Sequence, residues 1–193
     1  DVTGFRARSA SVGEPTPREL KVDVAAIEEE LADTIDVELE FPLEPVALGS
    51  ETFTPVAPAV VDVLLTYTGT GIVASGTVTA EFDAECSRCL EPFVLKATGD
   101  VEGFYIRHGI EAEIPDKQDA ERIVGREIDL LPALRAALVL ALPFAPLHTP
   151  DCAGICGICG ADLATGPCSC EPDRSASPFA ALKDIVLEQD DDA

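Results

Sequence analysis

The cysteines of this chain fall into two groups far apart in the sequence, and any fold has to account for both. Five of the seven cysteines and one of the two histidines lie between His148 and Cys170, and the other two cysteines are Cys86 and Cys89. Thiols grouped this closely are typical of disulfide frameworks, redox-active sites and metal sites. Each of these three possibilities makes its own demands on the surrounding chain.

Disulfides and redox catalysis both fit the sequence poorly. Seven is an odd number, no secretion signal is recognisable, and a chain that is 47% apolar has enough core to fold without cross-links. Redox-active Cys-x-x-Cys pairs usually begin a helix that follows a strand, which lowers the thiol pKa. Here one pair lies in a predicted turn between strands and the other in a glycine-rich segment. A thiol-based redox or metal-handling protein nevertheless stays as the alternative function.

The spacing of the cysteines favours structural zinc. Cys86 and Cys89 form one Cys-x-x-Cys pair, and Cys156 and Cys159 form a second that is followed by Gly160. Two tetrahedral zinc ions need eight ligands, and seven cysteines with one histidine supply them. Four protein ligands leave no position open for a reacting water, so the sites are expected to be structural. The predicted ligands are Cys86, Cys89, His148, Cys152, Cys156, Cys159, Cys168 and Cys170.

These eight residues divide most simply into one local and one long-range site. Cys156, Cys159, Cys168 and Cys170 follow one another closely enough for a single short loop to surround an ion. Cys86 and Cys89 would then meet His148 and Cys152, which would join a strand turn to the C-terminal part of the chain. A rival division pairs Cys86 and Cys89 with Cys156 and Cys159 and leaves the other thiols free.

The remaining sequence predicts an α+β fold. Apolar and polar residues alternate at 36–48 and again at 72–83, residues 60–68 are rich in strand-forming types, and 92–106 suit a returning strand. Residues 60–106 therefore indicate an antiparallel sheet of three or more strands, with a barrel-like form as one possibility. Residues 128–144 indicate a helix with Asp129 near its start and Pro143 at its end, and a final helix is expected from Ser177. We predict an N-terminal arm with a short helix over 1–36, and a single α+β domain over 37–193 that contains the cysteine-rich segment 148–170.

The charge and the motifs limit the function. The formal net charge is −23 and the 13 basic residues are scattered, which disfavours a general nucleic-acid-coating role. It permits docking onto a basic protein, or onto RNA through one local patch. No apolar run is long enough to cross a membrane. The sequence contains no nucleophile elbow, no His-Glu-x-x-His motif and no phosphate-binding loop, so we expect a protein that is not an enzyme.

Four stretches resemble the YceD-type proteins in content and order. They are GIVASGTVTAEFDAECSRCLEPF, EIDLLPALRAALVLALPF, CAGICGICGADLATGPCSC and SPFAALKDI. Cys86, Arg88, Cys89 and Leu90 match the first motif of that family, residues 140–143 match its Leu-Ala-Leu-Pro motif, and 152–163 match its cysteine run. The chain departs from the family at several places. His148 stands for a frequent cysteine, Ile155 for the usual leucine and Ala136 for a glutamate, and Ser177-Pro178-Phe179 stands for Asp-Pro-Arg.

The resemblance implies a role in ribosome formation. YceD-type proteins are bacterial and plastid proteins needed for the accumulation of large-subunit ribosomal RNA. The resemblance therefore implies a cytoplasmic, non-catalytic factor whose partner is the large-subunit ribosomal RNA precursor or a ribosomal assembly protein. It implies neither a membrane partner nor a small-molecule substrate.

Overall fold

Two long strands form the hairpin at the centre of the structure. The computed structural model describes residues 3–6, 18–27, 30–49, 51–107, 109 and 120–171. Strand β7 (Gly71–Glu85) and strand β8 (Pro92–Ile106) pair antiparallel along their whole length, with Glu85 opposite Pro92 at the tip. Valine and threonine recur along β7, and these residues favour the extended backbone because they are branched at Cβ.

The sheet extends from β7 through two further antiparallel strands. Strand β6 (Ala59–Tyr67) pairs with the other side of β7, and strand β3 (Thr34–Phe41) pairs with β6. In both strands every second residue is buried, as expected when one face of a sheet covers a core. The predicted antiparallel sheet is therefore confirmed.

Short strands complete the sheet. Strand β1 (Thr3–Arg6) runs parallel to β3. Strands β4 (Val46–Leu48) and β5 (Glu51–Pro55) form a hairpin, and β5 pairs with the end of β7 that is next to the β7–β8 turn. Strand β9 (Glu121–Arg122) runs parallel to the end of β8. Strands β2 (Lys21–Asp23) and β10 (Glu127–Asp129) form a separate antiparallel pair. Two strands from the predicted N-terminal arm thus pair with later segments, β1 with β3 and β2 with β10.

One helix packs on the buried face of the sheet. Helix α1 (Leu131–Ala141) buries Leu131, Leu134, Ala137 and Leu138. The Asp129 carboxylate accepts hydrogen bonds from the N–H groups of Leu131 at 3.1 Å and Leu20 at 2.7 Å, which fixes the start of the helix. No helix in the described part of the chain is long and apolar enough to span a membrane.

The helix occupies the space that a barrel would enclose. Over the described residues the sheet is open. Strand β8, at one side, pairs only with β7 and β9, and β1 lies at the opposite edge. The barrel-like form allowed by the sequence is therefore wrong. The short helix predicted around Ile27 is a single 3-10 turn at Ala25–Ile27 in the described residues, and the helix predicted from Ser177 lies outside them.

Candidate metal centres

The first Cys-x-x-Cys pair forms the tip of the β7–β8 hairpin. The Cys86 N–H donates to the Glu91 carbonyl at 2.9 Å, and the Leu90 N–H donates to the Cys86 carbonyl at 2.8 Å. Leu90 has a φ of +64°, a left-handed conformation that is unusual for a residue other than glycine. These two hydrogen bonds close the turn, and Cys86 and Cys89 both lie on it.

The second Cys-x-x-Cys pair forms the same turn in a different part of the chain. The Cys156 N–H donates to the Ala161 carbonyl at 2.8 Å, and the Gly160 N–H donates to the Cys156 carbonyl at 2.8 Å. Gly160 has a φ of +71° at the position that Leu90 occupies in the first turn. The Ile158 N–H lies 3.5 Å from the Cys156 sulfur, so the backbone also donates to the thiol. Turns of this kind suit metal binding because they direct two sulfurs to one point.

The hairpin turn lies against the segment that follows helix α1. Cys86, Cys89, His148 and Cys152, which we call the hairpin cluster, have their ligand atoms within 4.8 Å of one another. The Cys86 and Cys152 sulfurs are 3.7 Å apart, and the Cys89 sulfur is 3.3 Å from His148 Nδ1. Around a tetrahedral zinc ion two sulfurs lie about 3.8 Å apart, and a sulfur and a nitrogen about 3.6 Å apart. The observed separations are close to these values.

Backbone contacts hold the two halves of the hairpin cluster together. The Ser87 N–H donates to the Pro146 carbonyl at 2.8 Å, and the Ile155 N–H donates to the Arg88 carbonyl at 3.1 Å. The Arg88 guanidinium donates from Nη1 to the Cys152 carbonyl at 2.9 Å. This contact of Arg88 could not be predicted from the sequence, because a backbone carbonyl as partner leaves no residue pattern to detect.

The second cluster is local and closer to the surface. Cys156, Cys159, Cys168 and Cys170, which we call the loop cluster, also have ligand atoms within 4.8 Å of one another. The Cys159 side chain is exposed, whereas Cys86 and Cys152 of the hairpin cluster are buried. The Asp162 carboxylate accepts the Ala164 N–H at 2.9 Å and so shapes the connection between the two cysteine pairs of the loop cluster.

In the hairpin cluster the thiol pKa values move in opposite directions. Burial opposes ionisation of Cys86, but backbone hydrogen bonds from His148 and Cys89 outweigh it and lower the Cys86 pKa to about 5. At Cys89 a backbone hydrogen bond at Glu91 favours the thiolate. Burial and the neighbouring Cys86 and Cys152 thiols outweigh this bond and raise the Cys89 pKa to about 11. The Cys86 thiolate therefore forms easily, whereas ionisation of Cys89 is opposed.

The loop cluster shows the same pattern. Backbone hydrogen bonds from Cys159 and Ile158 lower the pKa of Cys156 to about 6. Hydrogen bonding with Cys159, together with burial, raises the pKa of Cys170 to about 12. Repulsion between neighbouring thiolates explains why a second ionisation is opposed, and a divalent cation among the sulfurs would remove this repulsion.

The two clusters suit a tetrahedral metal ion in their chemistry. All seven cysteines are free thiols, and the clusters offer three sulfurs with one imidazole nitrogen and four sulfurs, respectively. The side chains are grouped into the same two sets that the spacing predicted, rather than into the rival set. Both clusters can hold a metal ion, whereas binding itself stays a prediction.

Comparison with known proteins places the chain in a family. The family described as large ribosomal RNA subunit accumulation protein YceD matches residues 74–186, more than half of the chain. Uncharacterized proteins of Mycobacterium tuberculosis and Mycobacterium bovis are 31% identical over 139 residues, which are 72% of this chain and 65% of those proteins. The match therefore spans less than two thirds of the length of these relatives.

A named relative matches over a shorter stretch. The large ribosomal RNA subunit accumulation protein YceD of Haemophilus influenzae is 30% identical over 118 residues, which are 59% of this chain and 65% of that protein. No solved structure is significantly similar to the chain. The family match includes both turns and all eight candidate ligands, and on this evidence the chain belongs to the YceD family.

Proposed function

We propose that this protein is a non-catalytic, cytoplasmic factor that supports the accumulation or maturation of large-subunit ribosomal RNA. The match to the YceD family over residues 74–186 carries this proposal, because the family and its Haemophilus relative are named for that role. The partner would be a precursor of the large-subunit ribosomal RNA or a ribosomal assembly protein, with no small-molecule substrate and no membrane.

The proposal includes two structural zinc ions. Sulfur-rich tetrahedral sites favour zinc or iron, and the mixed set of three thiolates and one imidazole in the hairpin cluster is a usual zinc set. Cys86, Cys89, His148 and Cys152 would hold one ion, and Cys156, Cys159, Cys168 and Cys170 the other. Each ion would be saturated by protein ligands, so it would supply folding energy rather than an activated water.

The cellular role is tested by sedimentation and by RNA measurement. A lysate is separated on a density gradient, and we expect the protein in fractions that contain large-subunit precursors. Cells that lack the protein should contain less large-subunit ribosomal RNA relative to small-subunit RNA, and the wild-type chain should restore the ratio. Protein found wholly among free soluble proteins, together with a normal RNA ratio in cells that lack it, would show that the assignment is wrong.

The zinc proposal is tested by metal content and thiol reactivity. Protein purified without added metal should contain two zinc ions per chain, with all seven thiols slow to alkylate in the native state. A metal-free protein whose thiols oxidise readily would instead favour the thiol-based redox or metal-handling function. Iron in place of zinc would contradict only the identity of the metal.

A further inference from the structure

The face of the sheet opposite helix α1 is acidic, and no element in the described part of the chain packs on it. On β3, β6, β7 and β8 the residues that point away from the core alternate with the buried ones. Among these outward positions Lys96 is the one basic residue on the four strands. We call the central part of this surface the acidic face, and it consists of Asp36, Glu38, Asp62, Glu81, Asp100 and Glu102.

The strand register places these carboxylates in rows across the sheet. Glu38 is directly opposite Asp62 on the neighbouring strand, and Thr77 separates Asp62 from Asp100 in the same row. Like charges in opposite positions of a sheet repel one another, and Arg6 of β1 is the register partner of Glu38 at the end of this row. Over the described residues, Asp62 and Asp100 have neither an ion pair nor a hydrogen bond to a side chain.

Apolar side chains lie among the carboxylates. Val60 is 50% exposed and Leu64 is 37% exposed, and both point outward from β6 between acidic neighbours. Leu64 lies opposite Asp36 on one side and Ser75 on the other, in the row that ends at Glu102. Apolar and acidic side chains on one face suit a partner whose side chains combine an aliphatic stem with a positive charge.

We propose that the acidic face binds an extended protein segment rich in lysine and arginine. This inference rests on the proposed function and names the class of partner. Ammonium and guanidinium groups would meet the carboxylates, and the aliphatic stems of the same side chains would cover Val60 and Leu64. RNA is excluded from this face because its phosphates carry the same sign of charge as Asp62 and its neighbours. The partner on this face is therefore the basic segment of an assembly protein, and RNA competes with the face for that segment.

Binding of a defined peptide tests the proposal. The probe is a fluorescent synthetic peptide of about 20 residues in which lysine and arginine alternate with small polar residues, at about 0.15 M salt. The face variant combines Asp36→Asn, Asp62→Asn, Asp100→Asn and Glu102→Gln. The control variant combines Glu30→Gln, Glu51→Gln, Glu127→Gln and Glu171→Gln, which changes the net charge equally at exposed positions away from the face.

We expect the wild type and the control variant to bind the peptide alike and the face variant to bind at least about tenfold more weakly. Single-stranded RNA should displace the peptide by binding to it, without binding the protein face. Equal losses in the two variants would mean that only net charge matters and would overturn the proposal. If RNA binds the wild-type protein directly and binds the face variant no more tightly, the proposal is also overturned.

Two measurements separate this proposal from the proposed function. Thermal unfolding checks that the face variant is folded, and it should melt no lower than wild type because like-charge pairs have been removed. Both proteins are then sedimented with large-subunit precursors. If the wild type and the face variant sediment alike and both restore ribosomal RNA, the acidic face proposal fails and the function stands. If the wild type itself stays among free soluble proteins and cells that lack it have a normal ribosomal RNA ratio, the function fails.

Discussion

Leu90 and Gly160 occupy the same position in two equivalent turns, but only one of them is suited to it. Both follow the second cysteine of a pair, and both have a left-handed backbone, with φ of +64° and +71°. For a leucine this conformation costs about 1–2 kcal/mol, because Cβ lies too close to the following carbonyl oxygen. The first turn therefore carries strain that the second does not.

Replacing Leu90 with glycine should stabilise the protein. The side chain is 61% exposed, so little packing is lost, and removing the strain should outweigh the extra unfolded-state entropy of glycine. We expect a gain in the free energy of unfolding of about 0.5–1 kcal/mol, measured by urea denaturation of the metal-loaded protein. Leu140→Gly is the matched control, since Leu140 is 87% exposed within helix α1 and glycine there should cost about 1 kcal/mol. Loss of stability in both variants would contradict the strain at Leu90.

Single ligand variants should separate the two metal ions. We expect His148→Ala to weaken only the ion of the hairpin cluster, and Cys168→Ser only that of the loop cluster. Cobalt substitution reports this directly, because sites with three sulfurs and one nitrogen absorb at different wavelengths from sites with four sulfurs. Each variant should lose one of the two absorption patterns and keep the other. His108→Ala, a change of the other histidine in the chain, serves as the control. Loss of both patterns in one variant would show that the ligands are divided differently.

Helix α1 approaches strand β8 closely at a glycine. A Cβ atom placed on Gly99 would lie 2.3 Å from the Ala137 carbonyl oxygen. Backbone atoms of the helix cannot move aside as a flexible side chain can, so the helix itself would have to shift. The absence of a side chain at Gly99 therefore sets how closely the helix approaches the sheet.

Gly99→Ala should lower the free energy of unfolding by about 2–3 kcal/mol, as overpacking of a core does. Thermal or urea denaturation measures the loss. Gly157→Ala is the control, because a Cβ there meets nothing within 4 Å and the residue is outside the left-handed region. A loss below about 0.5 kcal/mol at Gly99 would mean that the helix is free to move.

The sequence was informative where the elements are long and regular. Strands β3 and β7 were predicted from alternating residues, β6 from strand-forming residue types and β8 as a returning strand. Helix α1 was predicted from the apolar run between Asp129 and Pro143. The alternation at 36–48 predicted one strand where the structure has two, β3 and β4. The hairpin of β4 with β5 was missed because both strands are short and Phe53 is their only buried residue. The pairing of β2 with β10 was missed because nothing in Lys21–Asp23 identifies a partner more than one hundred residues away.

The candidate ligands were predictable for a different reason. Tetrahedral metals bind four ligands, and eight suitable side chains divide into two sets with few plausible arrangements. The contacts that bring these sets into position could not be predicted, because they join backbone groups such as the Ser87 N–H and the Pro146 carbonyl. Residue identity hardly constrains such bonds.

In the whole molecule, the hairpin cluster is the connection between the sheet and the cysteine-rich segment. The core of the sheet and α1 is apolar and continuous, and it does not include the cysteines. Removal of the metal should therefore free the cysteine-rich segment while the sheet persists. We expect a chelator to increase hydrogen exchange at 143–171 and at the hairpin tip, with little change in β3 and β6.

Hydrogen exchange followed by mass spectrometry measures this effect, and Cys86→Ser without chelator is the comparison. That variant should free the hairpin tip but leave the loop cluster protected, because the two clusters use separate ligands. If the chelator exposes β3 and β6 as readily as 143–171, then the metal supports the whole fold rather than its C-terminal part.

The separation of the hairpin cluster along the chain also fixes the order in which it is completed during synthesis. Cys86 and Cys152 are 66 residues apart, which corresponds to about 3–13 s at about 5–20 residues per second. During that interval the hairpin tip of the nascent chain carries Cys86 and Cys89 without the other two candidate ligands of the cluster. The sheet forms around β7 and β8 from residues already made, whereas the cluster is completed only after His148 and Cys152 emerge. If the hairpin cluster binds metal, the supply of metal would decide how many new chains complete this connection.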